Sequence, residues 1–187
     1  MRVFAAVPLP AATRARLRAI TEPLSRGFPG LAVVGEAAMH VTIRFFGELD
    51  EGEVADLCAR TRDFQSPVGA FPAVVGGLGQ FPARGAPRVL YVAFREGRSE
   101  FWKLWEAFVS ATAEVGREEA PEEFVAHVTL ARCKRVRPAA DDPVFVRFRG
   151  ELERLAVGVT VDRLVLYRSI LKPQGPEYQE LQSLELP

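Results

Sequence analysis

MHVTIRFFGEL (residues 39–49) and VAHVTLAR (residues 125–132) contain the only two histidines of the chain, each at the head of the same tetrapeptide form: His40-Val41-Thr42-Ile43 and His127-Val128-Thr129-Leu130. Both stretches are rich in β-branched and aromatic residues and read as strands. Side chains alternate faces along a strand with period two. His40 and Thr42 therefore share one face, with Val41, Ile43 and Phe45 on the other. His127 and Thr129 share a face in the same way, opposite Val128 and Leu130. There are seven threonines in 187 residues, so finding one two places after each histidine is not an expected coincidence.

The surroundings of the two stretches also match. RVFAAV opens the chain and RVLYVAF begins at Arg88; each runs into an amphipathic helical segment and then into His-Val-Thr. Val3 precedes His40 by 37 positions, and Val89 precedes His127 by 38. The order of elements predicts a duplicated β-α-β unit. The duplication makes one domain, 1–187, of two repeat-like halves of about 1–85 and 86–187. If the halves pack about a pseudo-twofold axis, both His/Thr pairs converge on one cleft.

The remaining elements are read locally. Residues 2–8 form a short buried strand, and 11–25 a helix with Leu17, Ile20 and Leu24 at helical spacing. Asp50 and Glu53 make a capping box for a helix through Val54, Leu57 and Cys58. Residues 70–94 predict two strands joined by a Gly/Pro-rich loop, with the GGLG of 76–79 as a strand-to-loop turn. Ser99 is expected to cap a helix whose apolar face is Phe101, Leu104, Trp105, Phe108, Ala111 and Val115, stopped by Gly116. A basic loop, PVFVRFRG (143–150), VTVDRLVLYRS (159–169) and a C-terminal segment complete a mixed α/β (α+β) chain without repeats of low complexity or a clean linker.

Composition removes several classes of function. Twenty-four basic residues balance twenty-four acidic ones, which excludes a nucleic-acid binder that works by bulk charge. No apolar run approaches the ~20 residues of a membrane span. The opening MRVFAAVPLPAATRA ends its short apolar stretch in prolines and continues through Arg14, Arg16 and Arg18, as a buried strand and helix would. Two cysteines, Cys58 and Cys133, make no disulfide framework and fit reduced thiols in the cytoplasm. A monomer is the expectation.

Two imidazoles beside two hydroxyls suit one kind of chemistry. Imidazole titrates near neutral pH, so one ring can give a proton while the other takes one. In-line displacement at phosphorus needs that pairing, with the hydroxyls donating to non-bridging oxygens and no metal required. The residues alone leave open which histidine is the acid. Arg44, two places beyond Thr42, falls on the active face by alternation and could offset phosphate charge; a solvated strand end is the alternative. Arg132, Lys134, Arg135 and Arg137 could follow an RNA backbone or simply face water. Phe81 and Tyr167 are candidates for base stacking, although aromatics in such places more often support the core. GGLG lacks the companions of a phosphate loop, and no spacing of His40, His127, Cys58 and Cys133 is that of a zinc site, so neither metal nor cofactor is expected.

These residues resemble the two-histidine (2H) phosphoesterases and, within them, the RNA 2′,3′-cyclic phosphodiesterases long called 2′-5′ RNA ligases. The likeness runs from RVFAAVPLP through HVTIRFFGEL, GGLGQFP with PRVLYV, and FVAHVTLAR to LVLYRSIL and GPEYQEL. Ala126 stands where the family often has proline, and Val41 and Ile43 replace more usual leucines. The resemblance implies a bilobal fold with antiparallel sheets around a central cleft. It also implies metal-independent hydrolysis of an RNA 2′,3′-cyclic end to a 2′-phosphomonoester, with reverse 2′-5′ ligation. It makes His40 the proton donor, His127 the proton acceptor and Thr42 and Thr129 the phosphate ligands. It includes an arginine at Arg132, which strict alternation puts on the opposite face. The substrate is then an RNA end, as on tRNA fragments, or a small cyclic nucleotide. The rival reading is an RNA-end binding module without turnover, although such a module would be free to lose one histidine and this chain keeps both.

Overall fold

The computed structural model describes residues 1–116, 123–172 and 175–187. In chain order the elements are β1 (Arg2–Pro8), α1 (Ala11–Gly27), β2 (Ala32–Val33), β3 (His40–Glu48), α2 (Glu51–Asp63), β4 (Phe71–Phe81) and β5 (Val89–Glu96). They continue through α3 (Arg98–Ala111), β6 (His127–Arg132), α4 (Pro143–Arg154), β7 (Val157–Val161), β8 (Arg163–Lys172) and β9 (Gly175–Glu185). The strands form one curled antiparallel sheet in the order β7-β4-β5-β6-β3-β1-β8-β9, with β2 beside β6.

That order is symmetric about the β6–β3 junction. Outward from it come β5 and β1, then β4 and β8, then β7 and β9. The two lobes do not follow the expected cut near residue 85. The short connection from β4 to β5 favours a hairpin between neighbours in sequence, and it draws residues 71–81 into the β5–β6 lobe. Strands β8 and β9 return to β1 and complete the first lobe. The halves therefore exchange their outer strands. The pairings also refine the repeat: Phe45 faces Phe4 and Arg132 faces Val89, so Phe4, not Val3, corresponds to Val89.

One face of the sheet is apolar and carries the helices. Val3, Ala5, Val7, Val41, Ile43, Leu90, Val92, Val128 and Leu130 pack there against Leu17 and Leu24 of α1, Leu57 of α2, Phe101, Leu104 and Phe108 of α3, and Phe148 and Leu152 of α4. Burying each of these side chains larger than alanine contributes about 1.5–3 kcal/mol. Helix α1 lies against α4. Helix α2 meets α3 through Phe64 and Phe108, whose rings are edge to face at 5.3 Å.

Local signals explain most helix boundaries. The capping box is present: Asp50 Oδ1 accepts from Glu53 N–H at 2.9 Å, and Glu53 Oε2 accepts from Asp50 N–H at 2.8 Å. PVFVRFRG begins α4, with Pro143 at the first turn and Asp142 Oδ1 accepting from Val144 N–H at 2.8 Å. VTVDRLVLYRS divides at Asp162 into β7 and β8. Helix α3 departs from expectation at both ends. Gly97, with φ 83°, is its N-cap in place of Ser99, and the helix stops at Ala111 rather than at Gly116. The GGLG segment is likewise no turn. It lies inside β4, where Gly77 takes φ 90° at a register shift between Val75 and Leu78.

Candidate active site

The sheet face opposite the helices carries both histidines. On β1, Ala5 and Ala6 are consecutive, yet they face Arg44 and Thr42. Ile43 is thus an extra residue, a β-bulge in β3. On β5, Leu90 and Tyr91 face Ala131 and Thr129, so Leu130 is an extra residue in β6. A bulge falls three places after each histidine. Each one resets the alternation of the side chains that follow it.

The resetting corrects two expectations with one cause. Arg44, expected on the active face, turns instead toward the helices and is 5% exposed. Its Nη1 donates to the Val109 carbonyl at 3.1 Å and to Thr112 Oγ1 at 2.8 Å, and its Nη2 to the Val115 carbonyl at 3.3 Å. The guanidinium lies over the Phe46 ring at 4.8 Å. Arg44 is a clamp on the C-terminal end of α3, where unpaired carbonyls and the helix dipole favour a cation. Arg132, placed by strict alternation on the far side, is exposed on the cleft face, and its charge reaches both imidazoles and Tyr178. Phe45 occupies the corresponding place in the first lobe. It is 45% exposed and 5.7 Å from Phe4, a cleft residue that alternation alone assigns to the core.

Strands β3 and β6 are in register at one pair, Val41 with Val128. The histidine before one valine and the threonine after the other thus come from opposite lobes to the same place. Thr42 and Thr129 are half-buried. The buried Thr21, Thr61 and Thr112 donate their hydroxyls to carbonyls, whereas the hydroxyls of Thr42 and Thr129, like that of the buried Thr13, have no protein partner among the described residues.

Each imidazole meets the backbone carbonyl two residues upstream, Ala38 for His40 and Val125 for His127, but their ring neighbours differ. His127 Nδ1 is 2.7 Å from the Val125 carbonyl. A carbonyl only accepts, so Nδ1 carries the proton and Nε2 presents a lone pair. Its ring lies 5.0 Å from Phe81 and 5.0 Å from Tyr91. Tyr91 reaches it because Gly79 has no side chain; a Cβ there would come within 2.1 Å of the Tyr91 ring. His40 stacks on Phe4 at 4.9 Å and meets Tyr178 edge-on at 5.3 Å. Burial pushes His40 down from 6.5 to about 4, with the charges of His127 and Arg132 acting in the same direction and the Ala38 carbonyl opposing. Burial lowers His127 as well, again with Arg132 acting in the same direction and the Val125 carbonyl opposing.

The other sequence candidates do not gather at this cleft as free groups. Phe81 and Tyr167, offered for stacking, are half-buried and pack on Tyr91 and Phe4. Cys58 is on α2 and Cys133 lies in the core beyond β6, both as free thiols. Among the described residues no cluster of three or more His, Cys, Asp or Glu could hold a metal ion. No helix among them is long and apolar enough to cross a membrane.

Comparison with known proteins agrees with this geometry. Residues 7–91 match the family model described as LigT like Phosphoesterase. The chain is 32% identical to an RNA 2′,3′-cyclic phosphodiesterase of Thermotoga maritima, over 97% of this chain and 93% of that protein. A protein of the same name from Thermus thermophilus is 34% identical, over 100% of this chain and 90% of the relative. Among solved structures, one from Thermus thermophilus superposes with a TM-score of 0.78 at 29% identity, covering 100% and 98% of the two chains. Escherichia coli LigT complexed with 3′-AMP shares the fold, with a TM-score of 0.75 at 22% identity, covering 99% and 97%.

Proposed function

Because this chain belongs to the LigT-like phosphoesterase family and hydrolyses 2′,3′-cyclic phosphodiesters as an RNA 2′,3′-cyclic phosphodiesterase, we propose that His127 and His40 divide the acid–base work across its cleft. His127 Nε2 takes a proton from water as the water oxygen bonds to phosphorus. The P–O3′ bond breaks, and His40 gives its proton to the departing 3′ oxygen. The product is a 2′-phosphomonoester with a 3′ hydroxyl. Thr42 and Thr129 donate to the non-bridging oxygens, and Arg132 offsets their charge. Arg44 has no part in this; its work is structural.

The observation that supports this reading is the Val41–Val128 pair, which brings both imidazoles and both threonine hydroxyls to one cleft; each imidazole meets the carbonyl two residues upstream, so which of them is the base follows the family resemblance. In the free protein both imidazoles are held below their ordinary range. The anionic substrate reverses this field, because it pairs with Arg132 and attracts a proton to the cleft. The acid is therefore charged by the arrival of its substrate.

Reverse 2′-5′ ligation uses the same groups, with an RNA 5′ hydroxyl in place of water. RNA fragments, including those of tRNA, are the proposed substrates, and the chain acts as a monomer of one domain, 1–187. Its unpaired thiols suit the reducing cytoplasm. The decisive experiment is turnover of an oligoribonucleotide with a 2′,3′-cyclic end in EDTA, with the position of the product phosphate read out. A 2′-phosphate formed at full rate supports the reading; a 3′-phosphate, or a strict need for added metal, overturns it.

A further inference from the structure

The pseudo-twofold axis that relates the two histidines does not relate the rings that hold them. Strand pairing makes Phe4 correspond to Val89, Ala6 to Tyr91, Val165 to Gly79 and Tyr167 to Phe81. Large and small residues have thus changed places between the lobes. In the first lobe the large ring is Phe4, with Ala6 and Val165 beside it. In the second it is Tyr91, lying over Gly79 next to Val89. His40 consequently has a ring stacked on it, with Phe4 at 4.9 Å and an interplanar angle of 29°. His127 has none: Phe81 stands at 80° to it and Tyr91 at 53°. Phe4 faces the cleft, yet it is only 2% exposed. It is held by Tyr178 edge-on at 4.9 Å and by Tyr167 stacked at 5.4 Å.

The face of an aromatic ring carries negative quadrupole density and attracts a cation, more strongly where water is excluded. We propose that Phe4 is a positioning residue that assigns the acid role to His40, its stacked ring face favouring the protonated imidazole there and leaving His127 as the neutral base. The inference rests on the cyclic-phosphodiesterase reading and supplies a physical origin for its division of labour. The charged and titratable groups around His40 are His127 and Arg132 on β6, Tyr178 on β9, and Tyr167 on β8 with Glu180 beside it. Burial, His127 and Arg132 all oppose a second charge at His40; the ring of Phe4 works against them.

The chain has only two histidines, so an NMR titration follows two imidazole C–H resonances, assigned with His127→Asn. Phe4→Leu is expected to lower the His40 pKa by about half to one unit, to leave His127 in place, and to move the basic limb of the kcat profile down by the same amount. Phe4→Tyr restores both. Pentafluorophenylalanine at position 4 keeps the shape of the ring and reverses its quadrupole, so it serves if the leucine variant does not fold; it is expected to lower His40 further. A His40 pKa that stays or rises, or two histidines that move together, overturns the inference. Wild-type turnover in His40→Ala would instead sink the cyclic-phosphodiesterase mechanism itself, whatever the Phe4 variants do.

Discussion

Val41 of β3 lies opposite Val128 of β6, and this fully buried pair joins the two lobes. Counting outward along the antiparallel strands sets His40 against Thr129 and Thr42 against His127. Each imidazole therefore has the hydroxyl of the other lobe as its neighbour across the junction. Directly opposed side chains in an antiparallel pair stand about 5 Å apart at Cβ, a separation that a phosphoryl group can bridge. The two motifs make one site because the residue between His and Thr is what the strands share.

Loss of either imidazole is expected to stop chemistry while leaving the fold intact, since both rings face the cleft and not the helix-covered core. His40→Ala and His127→Ala should each lower kcat by about 10²–10⁴ or more. The double variant should be little worse than the poorer single one, as for groups that act together. Circular dichroism and thermal melting should match wild type; a collapsed fold would return the histidines to a structural role.

The pH profile follows from the shifts. The proposed mechanism needs one proton between the two imidazoles, and burial with Arg132 keeps both below 6.5 in the free protein, His40 at about 4. The ratio kcat/KM, which reports the free enzyme, should rise as pH falls from about 8 and then drop as the second proton enters near 4. A bound anion is expected to raise both imidazoles, so the basic limb of kcat should lie at higher pH than that of kcat/KM. A kcat/KM that is flat from about pH 6 to 9 is incompatible with a singly protonated site.

The same shift links catalysis to acid stability. An unfolded histidine binds its proton at 6.5, the folded His40 only at about 4, so stability is full above the first value and is lost as pH falls toward the second. His40→Ala should remove up to roughly 3 kcal/mol of that loss. Urea unfolding at neutral and acid pH measures the effect, and equal acid sensitivity in both proteins would refute it.

Arg44→Ala should cost stability rather than chemistry. It strips the charged partner from the carbonyls of Val109 and Val115 and from the Thr112 hydroxyl. The expected loss is about 2–4 kcal/mol. The kcat of the folded fraction should stay within twofold or so of wild type; a large fall in kcat without destabilisation would place Arg44 back in the site.

Gly79→Ala drives a methyl group into the Tyr91 ring. Such overpacking costs about 1–3 kcal/mol, and the displaced ring loosens His127, so kcat should fall together with Tm. Adding Tyr91→Leu should recover most of the Tm but not the activity. If Gly79→Ala alone is neutral in both respects, Tyr91 does not position the base.

The strands that carry His40 and His127 and the capping box at Asp50 were legible because each depends on residues close in sequence. Arg44 and Arg132 were not. Their faces depend on bulges at Ile43 and Leu130, and a bulge is a property of the pairing with β1 and β5, which strand periodicity alone cannot carry. The exposed Phe45 escaped for the same reason. The exchange of outer strands was hidden too, because a repeat in sequence does not say which half completes which sheet. GGLG resembled a turn because its glycines suit one, whereas in the fold they admit a bulge and the ring of Tyr91.

The exchange of strands also governs the order of events at the ribosome. β1 is synthesised long before one of its two partners, β8, which begins only at Arg163. Until residue 163 and beyond have emerged, the strand that carries Phe4 keeps a bare apolar edge, the kind of surface on which nascent chains stick to one another. Closing a loop of that length is also slow relative to forming the β4–β5 hairpin. Strands β4, β5 and β6 can therefore assemble while β1 waits, and the seat of His40 is finished only once β8 and β9 have been made. A nascent chain would seat His127 before His40.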